Sequence, residues 1–459
     1  MDDLGARTPN GQLDLLPREG IDWSRVQPVR RVWLEDMKGD HGARLEFLAD
    51  QGLRLLMADL GPGEGETLHF SSRRDGETLH LRAGGGKSLL PEAVKYFPAA
   101  VRWTELLRGE ERVDRRRPGA AGALIRAGNI LEVEGGWIRD VRDAWRAYPH
   151  AVLYGTRTGQ AGFLLEQEGE DGIALAHSFV QALEDARGMK VPVGALALRA
   201  VLLEAARAQA HLAWMGAAAS TLGRPRAAGR CENLRRDLGG SLEEWLGEPL
   251  GRGWVIPGGT GEDLPRGEAA ACGDKLAAAA AAWEEISPRV LSLAVPRWVE
   301  KRLRSLEGEA ADRSWVGPLA RAAGRDEDVR QEEPGVYPIV AWEGAAAPEG
   351  AGMLRRMLAV KAGEVSSSLD VMRRILGDFP DGPLLVKRGR GGRGEGFGRC
   401  EGPEGEACCH LALEKGRISY VAFSLPQELN RTAARILAGC RLDEVDILSL
   451  LWEAKYPGS

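Results

Sequence analysis

Arg199-Ala-Val-Leu-Leu-Glu204-Ala-Ala-Arg207-Ala-Gln-Ala-His211 lies inside a longer run, Val193 to Leu222. That run follows Pro192, contains no internal proline and is rich in Ala and Leu, which predicts a helix. At about 100° per residue, Glu204, Arg207 and His211 share one narrow stripe, with Arg199 further round. Leu198, Val201, Leu202, Leu203, Leu212 and Met215 fill most of the remaining circumference. A helix apolar nearly all round belongs in a core. Its ionisable groups must then find partners, because a buried unpaired charge costs several kcal/mol. Such a stripe can be a structural ion network inside a bundle, or a polar relay lining a site.

The preceding segment has the same character. In Ile173-Ala-Leu-Ala-His177-Ser-Phe-Val-Gln181-Ala-Leu-Glu184, His177, Gln181 and Glu184 fall on one helical face. Gly188 ends this helix, and the short link to Val193 predicts an antiparallel pair whose polar stripes meet. A ferritin-like di-metal centre would need Glu-x-x-His on two helices, and Arg207 stands three residues after Glu204. That reading fails.

A chain of 459 residues is long enough for two or more domains, each with its own core. The net charge of −6 gives no basis for a nucleic-acid partner. No apolar run approaches the ~20 residues needed to cross a bilayer, and Met-Asp-Asp-Leu-Gly is no basic-then-apolar leader. A cytoplasmic location, free or peripheral to a membrane, is expected. The cysteines, Cys231, Cys272, Cys400, Cys408, Cys409 and Cys440, include no Cys-x-x-Cys pair, so neither a zinc ribbon nor an iron–sulfur run is readable. Free thiols are expected.

Along the chain, Ala43 to Gln51 reads as a short helix. Leu53 to Leu60, Thr67 to Ser71 and Thr78 to Arg82 read as strands between glycine-rich turns. Gly84-Gly-Gly-Lys87-Ser88 falls short of a phosphate loop, because Leu81 occupies the place of its first glycine. The charged tract Gly109 to Pro118, followed by Gly119-Ala-Ala-Gly, marks a domain boundary, giving domains 1–117 and 118–459. Ile130 to Glu134 and Trp137 to Arg142 form a hairpin around Gly135-Gly136. Helices are expected over Asn233 to Leu246, Cys272 to Ile286, Pro296 to Glu307 and Met353 to Leu376. Arg388 to Gly396 contains a formal Gly-x-Gly-x-x-Gly (Gly389, Gly391, Gly394) but opens no helix, so it reads as a surface loop. Glu401 to Glu406 is a tight turn between strands, the second beginning at Cys408, and a further strand follows from Ile418. A final helix pair starts at Pro426. The expected class is α+β: an N-terminal α+β domain and a large, mainly helical domain with a central buried bundle and peripheral β-hairpins.

In this order the motifs resemble the large-subunit superfamily shared by membrane-bound [NiFe] hydrogenases and the 49 kDa, quinone-facing subunit of respiratory complex I. Arg199, Glu204, Arg207 and His211 match its buried Arg-x4-Glu-x-Glu-Arg-x3-His helix. Ala176-His177-Ser178 and Ala182-Leu-Glu184 match the helix before it. Gly258-Gly259 with Asp263, Lys361 with Glu364 and Ser368, and Pro426 with Asn430 match further motifs. Glu401, Pro403, Gly405 and Glu406 match the family's Glu-x-Pro-Arg-Gly-Glu turn, an expected interface turn. Phe97-Pro-Ala-Ala and Glu105 are similar to the 30 kDa complex I subunit, a fusion of formate-hydrogenlyase type. Residues of roughly 270–345 fall outside the resemblance.

Departures from the family pattern narrow what it implies. Hydrogenase members hold nickel and iron through two Cys-x-x-Cys pairs, whereas here the first pair aligns with Glu170 and Ile173. The second aligns around Trp452 to Ser459, where no cysteine stands. Without four soft thiolates there is no [NiFe] site. The family's Tyr-x-His-Arg-Gly segment is Tyr154-Gly-Thr-Arg157-Thr-Gly159, which keeps a tyrosine and an arginine without the histidine. Ala206 replaces the second glutamate of the buried helix, and Glu404 replaces the arginine of the turn. Tyr154, Arg157 and His177 remain the catalytic candidates. Glu184, Arg199, Glu204, Arg207 and His211 are the candidates for a structural or relay role.

The resemblance therefore implies a nickel-free, NADH dehydrogenase-like large subunit of a complex I-like or hydrogenase-4-like oxidoreductase. Electrons would pass from NAD(P)H or ferredoxin to quinone or a similar acceptor, coupled to ion translocation. The chain itself would bind no metal, with quinone the one candidate ligand. An iron–sulfur cluster would reside in a small-subunit partner, beside antiporter-like integral membrane subunits, on the inner face of the membrane. The alternative is a catalytically degenerate structural or assembly subunit of such a complex.

Overall fold

A computed structural model describes residues 20–424 and 439–448, apart from 35–40, 60, 62–65, 73–75, 84–87, 98–122, 127–128, 135–136, 144–161, 163–164, 167–171, 262–263, 305–315, 334, 341, 387–391, 442–443 and 445–446. Of 123–143 only the backbone is described.

The architecture is α+β. The N-terminal part holds β1 (Arg30–Leu34), α1 (His41–Asp50), β2 (Arg54–Asp59), β3 (Thr67–Ser71), β4 (Glu77–Arg82) and α2 (Leu90–Tyr96). Its sheet has the order β1-β4-β3-β2, with β1 parallel to β4 and the other pairs antiparallel. The alternating Leu and His positions of β3 and β4 give the period that makes these strands readable. Strand β1 has no such signal, since Arg30-Arg-Val-Trp-Leu opens on two charges. It forms because pairing along the edge of β4 satisfies its backbone. The next sheet is backbone-only: β5 (Ala123–Arg126), β6 (Asn129–Glu134) and β7 (Trp137–Asp143) run antiparallel, and Glu134 pairs with Trp137 at the expected hairpin end.

The helices follow as α3 (Gly172–Ala186), α4 (Val193–Thr221), α5 (Pro225–Leu246), α6 (Arg266–Leu291), α7 (Arg297–Leu303), α8 (Gly317–Ala322), α9 (Val329–Glu332) and α10 (Met353–Gly377). Helix α5 starts at Pro225 rather than Asn233, because proline is tolerated in a first turn. Helix α6 extends past the expected 272–286 at both ends, and its Pro288 sits in the last turn. The chain ends with β8 (Gly394–Gly402), β9 (Gly405–Glu414) and β10 (Arg417–Ser424), an antiparallel sheet of order β10-β9-β8. Gly394 to Gly396, expected in a surface loop, begin β8. The final helix pair from Pro426 and the boundary at 117 lie outside the described residues.

Helix α4 is the axis of the bundle, packed against α5 and α10, while α10 also lies against α6. The expectation that α3 and α4 pair along their length fails, because α3 lies instead on β8 and β9. Sequence explains the exchange. Gly394, Gly396 and Gly398 present no side chain on one face of β8, and a Cβ at these positions would strike the α3 backbone carbonyls of Ala186, Ala182 and Ser178. The helix therefore approaches to backbone contact. Gln181 and Asp185 of α3 then accept from the outward Arg399 and Phe397 N–H groups, at 2.9 and 3.0 Å, closing the free edge of the sheet.

The opposite face of the C-terminal sheet carries the N-terminal unit. Phe397 and Cys408 join Leu45, Leu55, Leu68, Phe70 and Leu81 in one buried cluster. The larger core runs through the bundle and the α3-facing side of the same sheet.

Candidate functional site: a buried ion network

Arg199, Glu204, Arg207 and His211 are all at least 99% buried. Each has partners: Arg199 meets the α3 stripe as the sequence suggested, whereas Glu204, Arg207 and His211 pair elsewhere. Arg199 forms a two-pronged pair with Glu184 of α3, at 2.9 and 2.6 Å. It also donates to the carbonyls of Ile256 and Gly259, at 2.9 and 2.8 Å. The Gly258-Gly259 turn can deliver those groups because both glycines have positive φ and press against the chain at Leu384 to Val386. Glu184 Oε1 in turn accepts from Gly258 N at 2.8 Å. Asp263, the last residue of that motif, lies outside the described residues.

The rest of the stripe faces away from His177 and Glu184, toward α8, α9, α10 and the β8–β9 turn. Glu204 accepts from Ser368 Oγ at 2.6 Å, Tyr337 Oη at 2.8 Å, Arg207 Nε at 3.2 Å and Arg330 Nη1 at 3.3 Å. Burial alone would raise its pKa, but Arg207, Arg330 and the two hydroxyl hydrogen bonds bring it below its ordinary value. Arg207 also donates to the Gly402 and Glu401 carbonyls, both at 2.7 Å. His211 shares a 2.7 Å hydrogen bond between Nε2 and Glu364 Oε2, and its Nδ1 lies 3.4 Å from Lys361 Nζ. Burial and the Lys361 ammonium push His211 down to about 4, so it is neutral at pH 7. Neutral His211 then donates from Nε2 to Glu364 and accepts at Nδ1 from Lys361.

Arg321 joins the network by donating to Glu364 at 2.7 Å, Asp328 at 2.8 Å and Glu401 at 3.0 Å. Arg330 forks onto Asp328 at 2.9 and 2.7 Å, and its guanidinium lies 4.2 Å from the Trp342 ring centroid. Lys361 reaches Glu404 at 2.7 Å. The glutamate that stands in the turn where the family has arginine is thus compensated within this chain.

The network holds four cations, Arg207, Arg321, Arg330 and Lys361, and five carboxylates, Glu204, Asp328, Glu364, Glu401 and Glu404. One carboxylate is in excess. Burial and the Asp328 carboxylate push Glu401 up to about 7, which makes it the group that keeps a proton near neutrality. Because its folded pKa lies above its unfolded one, the folded state holds more protons between about pH 4.5 and 7. This group's contribution is therefore lost as pH rises through that window. Glu401→Gln should melt with a flatter pH dependence than wild type, the difference reaching on the order of 3 kcal/mol by pH 8. Chemical denaturation of both proteins across pH 5–8 checks this.

A second cluster ties the N-terminal unit to the turn. Arg54 of β2 donates to Glu406 at 2.8 Å and to Glu332 at 3.0 Å, and Arg399 pairs with both carboxylates from the other side. Glu401, Pro403, Gly405 and Glu406, expected to form an interface turn, are all buried within this chain, and only Glu404 is partly exposed. His177 is buried, and its Nδ1 has no hydrogen-bond partner among the described residues. Burial and Arg199 keep it neutral. Tyr154 and Arg157 lie outside the described residues.

Sequence reading misses Arg321, Asp328, Arg330 and Tyr337, all from the 270–345 segment that falls outside the resemblance. Asp328-Val-Arg330 sits at a four-residue helix with no period to read. A third group is equally silent in the sequence. Asp59, His69 and His410, all buried, bring one ligand atom each within 4.8 Å of the others. Among the described residues they are the one such set of three metal-ligand types, and none of the six cysteines takes part.

Residues 231–392 match the family described as the 49 kDa subunit of respiratory-chain NADH dehydrogenase. The match runs through 270–345, correcting the exclusion of that segment. Relatives include the alpha subunit of the membrane-bound hydrogenase of Pyrococcus furiosus, 28% identical over 55% of this chain and 62% of that protein. A subunit of the NADH-quinone oxidoreductase of Rhizorhabdus wittichii is 26% identical over 46% of this chain and 52% of its own length. Formate hydrogenlyase subunit 5 of Escherichia coli is 28% identical over 47% and 38%. The chain thus spans roughly half the length of these relatives. A chain of the membrane-bound sulfane sulfur reductase, an archaeal respiratory membrane complex, shares the fold, with a TM-score of 0.61 at 21% identity over 71% of this chain and 92% of that one. Among the described residues, no helix is long and apolar enough to cross a membrane.

Proposed function

We propose that this chain is a nickel-free large subunit of a membrane-associated, complex I-like or hydrogenase-4-like oxidoreductase, seated peripherally on the inner face of the membrane. One observation carries the reading. The ion network that holds α4, α8, α9, α10 and the β8–β9 turn together is complete, while the thiolates a nickel centre requires are missing from the sequence. Electrons would pass from NAD(P)H or ferredoxin, through an iron–sulfur small subunit, to quinone or a similar acceptor, with antiporter-like subunits moving ions. A quinone, if bound by this chain, would meet Tyr154 and Arg157. The network would respond to charge changes through Glu401, its one carboxyl poised near neutral pH.

The compensated Glu404–Lys361 pair and the alanine at 206 favour the second reading, a structural subunit on the same fold. Redox assay of the complex separates the two. Tyr154→Phe and Arg157→Ala should each lower quinone reduction at least tenfold while leaving the subunits assembled. Unchanged turnover in both variants would leave the structural role. The same preparation should contain no stoichiometric nickel by elemental analysis and evolve no hydrogen.

A further inference from the structure

Between the N-terminal and C-terminal sheets lie Asp59 at the end of β2, His69 on β3, His80 on β4 and His410 on β9, all buried. Asp59 Oδ2 lies 3.0 Å from His69 Nε2 and 2.9 Å from His410 Nδ1. The outer nitrogen of each ligating ring is also engaged: His69 Nδ1 is 2.6 Å from His80 Nδ1, and His410 Nε2 is 2.7 Å from Glu395 Oε1. Glu395 is held by Arg82, and His80 stacks on Trp33 at 4.2 Å between ring centroids.

We infer that Asp59, His69 and His410 bind a zinc-class divalent cation that clamps the N-terminal unit onto the C-terminal sheet. Two imidazoles and a carboxylate suit zinc among the common divalent ions. Bonds of about 2.0–2.1 Å in a tetrahedron place ligand atoms about 3.3 Å apart, so the two short edges need open by only a few tenths of an ångström. The surrounding groups are those a metal site needs. With the cation bound, His69 donates its Nδ1–H to His80, and His410 donates its Nε2–H to Glu395, which fixes both tautomers. The cation adds a bond between strands far apart in sequence, joining β2 and β3 of the N-terminal unit to β9. A solvent molecule completes the coordination shell.

The test is zinc content and zinc K-edge X-ray absorption of the purified full-length protein, with its complex where one co-purifies, after loading with zinc and dialysis. The expected result is about one zinc per chain in a nitrogen and oxygen shell showing histidine ring scattering. His410→Gln and Asp59→Asn should lose it, and chelation should speed amide exchange in β2 and β3. If those variants fail to fold, the wild-type spectrum still decides. Less than a tenth of an equivalent after loading, or a shell dominated by sulfur, would overturn the proposal. The cluster would then be a hydrogen-bond network only.

Discussion

Glu204→Ala should destabilise the protein by on the order of 3–5 kcal/mol, the cost of leaving buried cations without their partner. Four groups converge on this fully buried carboxylate, from α4, α9, α10 and the Tyr337 segment. Its removal leaves Arg330 and Arg207 short of charge, and leaves the Tyr337 and Ser368 hydroxyls without their acceptor. An exposed pair would lose only about 0–1 kcal/mol. Glu204→Gln should recover part of the loss, because an amide oxygen still accepts from the hydroxyls. Chemical denaturation of the three proteins measures the difference, and a loss below 1 kcal/mol for the alanine variant would mean that the network does not stabilise the bundle.

Gly398→Ala is expected to cost about 3 kcal/mol or more, at or beyond the upper end of overpacking effects. The added methyl would meet the Ser178 carbonyl and the Ala182 amide, backbone atoms that no rotamer change can move. Helix α3 would have to lift from β8, loosening the Gln181 and Asp185 hydrogen bonds that close the sheet edge. Gly416→Ala offers a comparison, since its Cβ would meet nothing within 4 Å, leaving only the strain of its positive φ. Thermal melting should rank Gly398→Ala well below Gly416→Ala, and equal melting would contradict backbone-to-backbone packing of α3.

Helix α4 is legible because its charges stand out against an apolar circumference, and that contrast shows in one sequence. Partners are less legible. Lys361, Glu364 and Ser368 recur at helical spacing and can be placed on one face of α10, but nothing local says which stripe they meet. The pairing of α3 with α4 is misjudged because short links bias the reading toward neighbouring helices. Gly394-Glu-Gly-Phe-Gly398, which draws α3 onto the sheet instead, has the composition of a loop. Glycine at every second position is the signal that could reveal a strand under close helix packing. Asp59, His69, His80 and His410 come together only through the register of one sheet and its docking on another, so no spacing announces them.

Affinity purification of the tagged chain from detergent-solubilised membranes, followed by mass spectrometry and iron and nickel analysis, tests the central claim most directly. An iron–sulfur small subunit and antiporter-like membrane proteins should co-purify in fixed ratio, with iron present and nickel absent. Recovery of the chain alone, or with stoichiometric nickel, would contradict it.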